Sequence, residues 1–406
     1  MSEARNILQK DWKLVKLGEV CTYSKGKKPV VLKVAKSNEC SIPYINIKAF
    51  EKGIFDEYTN GEKCNLCKDN DLLMVWDGAR CGLIGKAKKG AVGSTLMKIL
   101  PKEIIHKEYL YHFINSKFWS LNTKSKGVGI PHIEPTLLWN FELVVPPLPE
   151  QQAIVAKIEE LLSELDNGKQ QLLTAQQQLK VYRQSLLKWA FEGKLTNKKV
   201  KDEELPDGWK WVKIEEIATV GTGATPLKGN SNYYNNGNIA WVTSGALNDE
   251  YVKEATDFVT ELALKETNLS VYPKHTLLLA MYGEGKTRGK CSELLFDATT
   301  NQAIAAIHFK NHDERVRPYL KYFLLKNYND IRMLSSGGVQ PNLNLGIVKK
   351  TTLPIPPLKE QQLIVEELES KLTVCDKIEE TIVQSLLQAE TLRQSILKKA
   401  FEGRLV

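Results

Sequence analysis

A decapeptide occurs twice in this chain, as PPLPEQQAIV at Pro146–Val155 and as PPLKEQQLIV at Pro356–Val365, and the copies agree at eight of ten positions. A second pair keeps the same offset of 210 residues. It reads YRQSLLKWAFEGKL at Tyr182–Leu195 and LRQSILKKAFEGRL at Leu392–Leu405, with ten of fourteen positions shared. An internal repeat shows how a chain is divided into units. This chain of 406 residues therefore alternates a variable unit with a repeated segment, twice.

The repeat also extends, more weakly, into the variable units. WKLVKLGEV at Trp12–Val20 resembles WKWVKIEEI at Trp209–Ile217, at an offset of 197. KGVGIPHI at Lys126–Ile133 aligns with SGGVQPNL at Ser336–Leu343, at the offset of 210. The second unit therefore contains about 13 additional residues. We expect a first module over 1–145, a helical segment over 146–195, a second module over 196–355 and a second helical segment over 356–406.

The repeated segments have the pattern of long helices. Apolar residues follow a 4-3 spacing through both, which is typical of a coiled-coil seam. Prolines precede each helix, and Gly193 and Gly403 follow as stop signals. With about 43 residues at 1.5 Å each, a helix would span roughly 65 Å. The predicted seam consists of Ile154, Ile158, Leu161, Leu165, Leu172, Leu179 and Leu186 in the first helix and Ile364, Leu368, Ile378, Ile382, Leu392 and Ile396 in the second.

A long helix with an apolar stripe needs a partner, and the obvious partner is the other copy. Because the first helix leaves the first module and ends at the second, the pair would run antiparallel. The expected architecture is α+β, with two mixed α/β modules joined by two long helices that form an antiparallel coiled coil with pseudo-two-fold symmetry. The alternative is that each helix packs on its own module.

Each module mixes short apolar runs with turn residues. The runs predict strands at residues 42–47, 71–75 and 96–100 in the first module and at 238–243, 276–280 and 303–309 in the second. Residues 107–115 and 317–325 have the pattern of helices with an aromatic face, which we interpret as core rather than as a ligand platform. These patterns do not fix the topology of the strands.

The composition is that of a soluble globular protein, with 42% hydrophobic and 26% charged residues. No apolar run is long enough to span a membrane, and the N-terminus lacks the apolar stretch of a secretory signal. Seven irregularly spaced cysteines argue against a disulfide framework and favour the cytoplasm. The net charge of +8 is consistent with a polyanionic partner such as DNA, and equally with a role in solubility.

Two glycine-containing loops in each module have the composition of a DNA contact, and three of the four are basic, while the fourth, Ser335–Asn344, offers Gln and Asn. Glycine lets a backbone approach a ligand closely. Lys and Arg bind phosphates, and Arg, Gln and Asn can pair with base edges. The alternative is that these loops are solvated turns. The candidate contact residues are Arg80, Lys86, Lys88, Lys89, Lys124 and Lys126 in the first module and Lys286, Arg288, Lys290, Gln340 and Asn342 in the second.

Two further motifs resemble known sites but lack the rest of the pattern. AMYGEGKT at Ala280–Thr287 fits a loose phosphate-binding loop, but the residues after it are poor helix formers, and such a loop needs a helix there. The pair Cys64 and Cys67 supplies two ligands, whereas a structural zinc site wants four. We therefore expect no metal, no nucleotide hydrolysis and no catalytic residue in this chain.

The repeated segments strongly resemble the conserved regions of type I restriction–modification specificity subunits. The resemblance rests on the EQQ decapeptides and on the two AFEG(K/R)L endings, and the module openings WKLVKLGEV and LPDGWKWVKIEEI also look like the start of that family's target-recognition domains. It covers the whole chain, in the same order and at the same spacing. It depends least on the modules, which are the most variable part of the family, so no DNA-contacting residue can be carried over by motif.

The resemblance implies a function for each part of the chain. Each target-recognition domain would read one half of a split, asymmetric site in double-stranded DNA. The helices would fix the spacing between the halves and dock two modification subunits, which use S-adenosylmethionine, while restriction subunits add ATP- and Mg-dependent activities. The chain itself would be non-catalytic and carry no cofactor. The alternative is a coiled-coil scaffold that binds proteins and has no DNA specificity.

Overall fold

The computed structural model describes residues 11–126, 129–197, 200, 204–283, 285–309, 312–335 and 342–405. The chain forms two compact units. The first unit contains the chain up to Leu173 and the stretch from Val383 onward, and the second unit is Thr174–Ile382. Both boundaries lie inside long helices. Each unit therefore combines one module with a part of each helix, a division that differs from the four consecutive segments predicted from the repeat.

The described residues of the first unit's module form three small sheets and five short helices. Its strands are β1 (Lys13–Lys16), β2 (Cys21–Lys25), β3 (Ile42–Ile45), β4 (Tyr58–Thr59), β5 (Leu66–Cys67), β6 (Leu72–Val75), β7 (Ile84–Lys86), β8 (Gly90–Val92), β9 (Leu96–Pro101) and β10 (Glu142–Val145). Its helices are α1 (Leu17–Val20), α2 (Ile47–Lys52), α3 (Lys107–Ser116), α4 (Phe118–Thr123) and α5 (Pro135–Trp139), and the long helix α6 (Leu148–Phe191) follows. The sheets have the orders β1-β10, β2-β9-β6-β7 and β4-β3-β8-β5. All pairings are antiparallel except that of β3 with β8.

The described part of the second unit's module has a similar plan, but its two larger sheets contain five and three strands instead of four each. Its strands are β11 (Lys210–Lys213), β12 (Thr219–Thr222), β13 (Ile239–Val242), β14 (Tyr251–Val252), β15 (Asp257–Val259), β16 (Leu277–Ala280), β17 (Cys291–Leu294), β18 (Thr299–Thr300), β19 (Ile304–His308) and β20 (Thr352–Ile355). Its helices are α7 (Ile214–Ile217), α8 (Glu261–Glu266), α9 (Arg317–Lys326), α10 (Tyr328–Met333) and α11 (Leu345–Lys350), followed by the long helix α12 (Leu358–Phe401). The sheets have the orders β11-β20, β12-β19-β16-β17-β14 and β15-β13-β18.

The secondary structure largely follows the sequence prediction. The apolar runs at 71–75, 96–100, 276–280 and 303–309 form the central strands β6, β9, β16 and β19. The predicted strand at 42–47 ends early, because the Asn46 side chain accepts a hydrogen bond from the Ala49 N–H and begins α2. An asparagine in this role is a helix N-cap, which ends a strand as effectively as it starts a helix.

In the first unit, the beginning of α6 and the end of α12 pack together and against the module. Ile154 and Ile158 of α6 share one buried cluster with Ile396 of α12 and with α3 and β9. Lys169 Nζ lies 3.0 Å from Glu390 Oε2, and Asp166 forms an ion pair with Arg393. The partners move in opposite directions along the two helices, so these segments are antiparallel.

In the second unit, the end of α6 packs with the beginning of α12 in the same way. Leu179 and Leu186 share a buried cluster with Ile364 and Leu368 and with the module's helix α9. Arg183 Nη2 lies 2.7 Å from Asp376 Oδ1 and 3.1 Å from Glu379 Oε2. Each helix thus packs both on a module and on the other helix. Pairing of the helices and packing on the modules, which the sequence left as alternatives, therefore occur together.

The apolar seam differs from the strict 4-3 pattern. Ile378 and Leu392 were predicted to lie in it, but they are 44% and 51% exposed. Leu161, Leu165 and Leu172 are half-buried. A helix of 3.6 residues per turn drifts by about 20° per heptad from a 3.5 repeat, so a stripe extrapolated over six heptads rotates away from the contact. Contact with the modules also widens the buried face and includes residues outside the pattern, namely Val155, Leu162, Ala190, Phe191, Leu397 and Ala400.

The repeated motifs meet at one point in the first unit. The Trp12 indole N–H donates a hydrogen bond of 2.7 Å to Glu150 of the EQQ motif. Gly403, just after α12, lies against the same indole, and a Cβ there would come within 2.9 Å of the ring. Phe401 packs edge-on against Tyr109 of α3, with the ring centroids 5.1 Å apart. The start of the module and the ends of both helices are therefore held together here.

The second unit contains the matching contacts. Trp209 donates to Glu360 at 3.0 Å, and Phe191 packs edge-on against Tyr319 at 5.0 Å. Gly193 lies against Trp209, where a Cβ would be 3.4 Å from the ring. Gly193 has φ +73°, in the left-handed region that glycine adopts most readily and that commonly ends a helix. These contacts explain why the same Trp, Glu, Phe and Gly residues recur in both halves of the sequence.

Candidate nucleic-acid interface

The two candidate loops of the first unit lie side by side. One is the hairpin loop between β6 and β7, and the other follows α4. Gly78 donates its backbone N–H to the Pro131 carbonyl at 2.8 Å, and Ile133 donates to the Trp76 carbonyl at 3.1 Å. Residues 77–83 therefore lie beside Lys126 and residues 129–133, and together they form one edge of the module.

Arg80 lies on the hairpin loop, and its surroundings are well fixed. The Asn122 amide donates hydrogen bonds of 2.9 and 3.1 Å to the carbonyls of Ala79 and Cys81 on either side of it. Arg80 Nη1 lies 3.1 Å from Glu51 Oε2 of α2. The Arg80 side chain is 57% exposed, whereas that of Glu51 is 15% exposed. The loop holds this guanidinium in place and leaves much of it accessible.

Other cations lie along the same edge. Lys124 and Lys126 are exposed on the second loop, and Lys126 forms an ion pair with Glu134. Lys25, at the end of β2, has its Nζ 2.9 Å from Asp77 Oδ2 of the hairpin loop. The predicted residues Arg80, Lys124 and Lys126 thus lie on two adjacent loops, and Lys25, which sequence reasoning missed, contacts one of these loops.

The missed segment is KGKK at residues 25–28. Its Lys27 and Lys28 side chains are exposed, and the Lys27 N–H donates to the Val92 carbonyl at 3.1 Å. Gly26 makes this approach possible, because a Cβ there would lie 2.0 Å from the Gly93 carbonyl oxygen. A glycine inside a basic run is the same signal that identified the other loops and could have identified this one.

Lys86, Lys88 and Lys89 lie elsewhere. Lys86 is paired in register with Leu72, at the end of the β6–β7 hairpin opposite to the loop that carries Arg80. Its Nζ lies 2.9 Å from Glu108 Oε2 of α3. Lys88 and Lys89 are exposed beyond this end. The structure therefore does not bring these three lysines together with Arg80.

The corresponding loops of the second unit also lie together. The Leu343 N–H donates to the Met281 carbonyl at 3.0 Å, which is the counterpart of the Ile133–Trp76 bond. The predicted residue Asn342 is half-buried beside this contact. Gln340 lies outside the described residues.

Side chains of helix α10 form hydrogen bonds to the backbone carbonyls of the hairpin loop of the second unit. Arg332 donates from Nη2 to the Gly285 carbonyl at 2.7 Å and from Nη1 to the Arg288 carbonyl. The Tyr328 hydroxyl donates to the Lys286 carbonyl at 2.8 Å. The Lys286 side chain is exposed and that of Arg288 is half-buried. No helix follows the GKT motif, because residues 285–289 form turns that lead to β17.

A buried group of charges lies under this loop. Lys321 of α9 is 5% exposed, and its Nζ lies 2.8 Å from Glu250 Oε1, 3.1 Å from Glu293 Oε2 and 3.6 Å from the centre of the Tyr251 ring. Burial alone would lower the pKa of Lys321, but hydrogen bonds to Glu250 and Tyr251 outweigh it and raise that pKa above its ordinary value. The segment before β14 is thereby fixed, and its Asn248 accepts a 2.9 Å hydrogen bond from Lys290.

The long helices leave apolar side chains exposed. In the first unit these include Leu148, Leu173, Val383, Leu387 and Leu392, and in the second unit they include Val181, Tyr182, Trp189, Leu363, Val374 and Ile378. The second unit also has a cleft of about 1270 Å³ between its helices and its module. Its lining includes Arg183, Trp211, Glu250, Tyr322, Lys326 and Asp376.

Neither a membrane-crossing helix nor a metal-binding cluster is found in the described part of the chain. None of its helices has the length and hydropathy that crossing a bilayer requires. Its His, Cys, Asp and Glu side chains form no group of three or more that could hold a metal ion. Cys67 is buried and hydrogen-bonded to backbone carbonyls, and Cys64 is half-buried.

The sequence profile of the type I restriction modification DNA specificity domain matches this chain twice, over residues 9–175 and 206–388. The chain therefore belongs to this family. It is 28% identical to the type I restriction enzyme MjaVIII specificity subunit of Methanocaldococcus jannaschii, over 97% of this chain and 93% of that protein. It is 25% identical to the EcoKI specificity subunit of Escherichia coli K12, over 98% and 90% respectively.

Solved structures show the same fold. A chain from a structure of the assembly and conformational transition of the type I R-M system has a TM-score of 0.73 at 21% identity, covering 98% of this chain and 99% of its own length. The HsdS subunit from Thermoanaerobacter tengcongensis has a TM-score of 0.64 at 20% identity and full coverage of both. The predicted family and fold class are confirmed, and the family's role is recognition rather than catalysis.

Proposed function

We propose that this chain is the sequence-reading subunit of a type I restriction–modification complex and that it acts on double-stranded DNA in the cytoplasm. Each module would read one half of a bipartite, asymmetric site. The observation that carries the proposal is that two candidate loops meet at one edge of the module in each unit, both of them basic in the first unit and one basic and one polar in the second. Lys and Arg on such an edge suit phosphates, and Arg and Asn suit base edges in the major groove.

Differences between the two edges support an asymmetric site. The first edge presents Arg80, Lys124, Lys126 and the KGKK segment, so it is strongly basic. At the place of KGKK, the second module has GATPLKGN at 223–230, with one lysine. Because cations bind phosphates of any sequence and polar side chains discriminate bases, the two halves would differ in salt dependence as well as in sequence.

The long helices would dock two modification subunits. Apolar side chains that stay exposed on both helices, such as Trp189 and Ile378, mark surfaces where another protein can bind. The cleft of the second unit lies beside α6 and α12 and would belong to the same contact. Restriction subunits would join the complex through this assembly. S-adenosylmethionine, ATP and Mg would be bound by the partners and not by this chain.

The experiment that tests this function is co-expression with the modification subunits encoded nearby, followed by mapping of methylated bases in the host DNA. We expect adenine methylation at one split, asymmetric motif. Replacing the edge residues of one unit should alter one half of that motif and leave the other intact. No motif, or a motif that ignores changes in both units, would favour the alternative of a protein-binding scaffold.

A further inference from the structure

We propose that Arg80 and Glu51 form a base-reading pair, in which Arg80 hydrogen-bonds to one guanine of the half-site read by the first unit and Glu51 positions it. This inference rests on the proposed function and names the residue that selects one base pair. Arginine reads guanine by donating two parallel hydrogen bonds to O6 and N7 in the major groove. Such a contact requires the guanidinium to be held in one orientation before the DNA arrives.

The backbone around Arg80 is held from several sides. Asn122 of α4 binds the carbonyls of both neighbours, Ala79 and Cys81. The Gly82 N–H donates to the Val75 carbonyl at 2.8 Å, which closes the hairpin loop. Little ordering of the loop therefore remains to be done on binding, and a preorganised contact loses less affinity to entropy than a flexible one.

The side chain is held by a carboxylate that is mostly buried. Glu51 Oε2 accepts from Arg80 Nη1 at 3.1 Å, and Glu51 Oε1 is buried with no hydrogen-bond partner among the described residues. A buried carboxylate is costly unless a cation lies beside it. Arg80 supplies that charge and is thereby restricted in orientation. Its other nitrogens project from a side chain that is 57% exposed.

The neighbouring ion pair of Lys126 with Glu134 provides a contrast. Lys126 is 68% exposed and carries a point charge on a flexible side chain. Such a lysine contributes to phosphate binding in any sequence but does not discriminate bases well. Arg80 and Lys126 therefore form a matched pair on one edge, with different expected effects on specificity.

The test measures DNA binding by the full chain in complex with its modification subunits. The probes are the duplex that carries the methylated motif and a panel in which each base pair of that motif is replaced in turn. Wild type is compared with Arg80→Ala, Arg80→Lys, Glu51→Gln and the control Lys126→Gln. Thermal unfolding of each variant is recorded, and Arg80→Lys keeps a cation beside Glu51 in case Arg80→Ala does not fold.

We expect Arg80→Ala and Arg80→Lys to lose the discrimination at one G·C pair of one half-site, which should be about 5- to 150-fold in wild type. Glu51→Gln should reduce discrimination at that same pair, a change that a purely structural role would not confine to one base pair. Lys126→Gln should weaken all duplexes alike and lower the salt dependence. An unchanged base profile in both Arg80 variants, or uniform weakening as in Lys126→Gln, overturns the pair. A wild-type complex that prefers no sequence would instead reject the proposed function.

Discussion

The glutamine that follows Glu in the EQQ motif should contribute much more to the local stability of the first unit than to that of the second. Gln151 is fully buried and makes three hydrogen bonds. It accepts from the His106 N–H at 2.7 Å and donates to the carbonyls of Ile104 and Pro146 at 3.0 and 2.8 Å. Gln361 is 4% exposed and donates to the Pro356 carbonyl at 2.9 Å, while its Oε1 has no partner among the described residues.

The reason for this difference is the start of the helix that each glutamine faces. In the first unit, Gln151 satisfies the N–H of His106, the residue that precedes α3 and whose side chain makes no capping bond. In the second unit, a 3-10 turn at Glu314–Val316 precedes α9, and the Asp313 side chain accepts from the Arg315 N–H. In the second unit, a nearby side chain therefore binds an N–H group at the helix start, and Gln361 makes fewer hydrogen bonds there.

Replacing either glutamine with methionine keeps its size and removes its hydrogen bonds. A net hydrogen bond contributes about 0.5–1.5 kcal/mol, and a buried group left without a partner costs about 1–3 kcal/mol. Gln151→Met should therefore lower the local free energy of unfolding by roughly 2–4 kcal/mol, and Gln361→Met by about 1 kcal/mol. At a factor of ten per 1.4 kcal/mol, the first change corresponds to about 30- to 700-fold faster amide exchange.

Hydrogen exchange followed by mass spectrometry measures this locally, which matters because a chain of two units need not unfold in one step. Peptides that cover residues 104–110 and 316–322 report on the two helix starts. Equal acceleration in both variants, or a larger effect of Gln361→Met, would refute the hydrogen-bond argument.

Three further outcomes are expected. Burial lowers the pKa of His112, against the opposing effect of Glu159 and Glu108; because the unfolded imidazole then takes up a proton first as the pH falls below about 6.5, the first unit should lose stability there. Urea unfolding between pH 7.5 and 5.5 should show this loss in wild type. If His112→Phe left the change of unfolding free energy with pH the same as in wild type, this explanation would be contradicted. Burial raises the pKa of Cys21 to about 11 and that of Cys291 to about 12. Iodoacetamide at pH 8 should therefore alkylate half-buried Cys64 well before either, as peptide mapping would reveal; early labelling of Cys291 would argue against a buried thiol. Phe191→Ala should destabilise the second unit by about 3–5 kcal/mol, because Phe191 is 6% exposed. Denaturant titrations with Trp189→Ala, 41% exposed on the same helix, as the control should separate the two by at least about 2 kcal/mol.

The repeat was enough to predict the architecture because it records which residues must recur. Trp12 and Trp209, or Glu150 and Glu360, keep the same letters since they make the same contact in each unit. Helix bounds could be read from proline and glycine for the same reason. The seam was less predictable, because Ile378 satisfies a heptad count and yet faces away from the contact.

The candidate site was predicted only in part. Glycines and cations identified loops that the structure brings together, but no periodicity in the sequence links residues 77–83 to residues 129–133 across the module. Lys86 lies in a basic segment of the kind that contacts DNA. Only the register of its strand shows that it lies beside Glu108 instead. Glu51 could not have been found from the sequence, since acidic residues are not sought in a DNA-binding site.

In each module an ion pair joins a strand to a helix, and the two modules exchange the positions of the positive and the negative residue. This limits how the modules can be recombined. In the first, Lys86 on strand β7 faces Glu108 on helix α3, while in the second, Glu293 on strand β17 faces Lys321 on helix α9. A chimera that took the strand from one module and the helix from the other would place two like charges together at this contact. Viable exchanges should therefore break within the repeated segments, so that each strand keeps the helix of its own module.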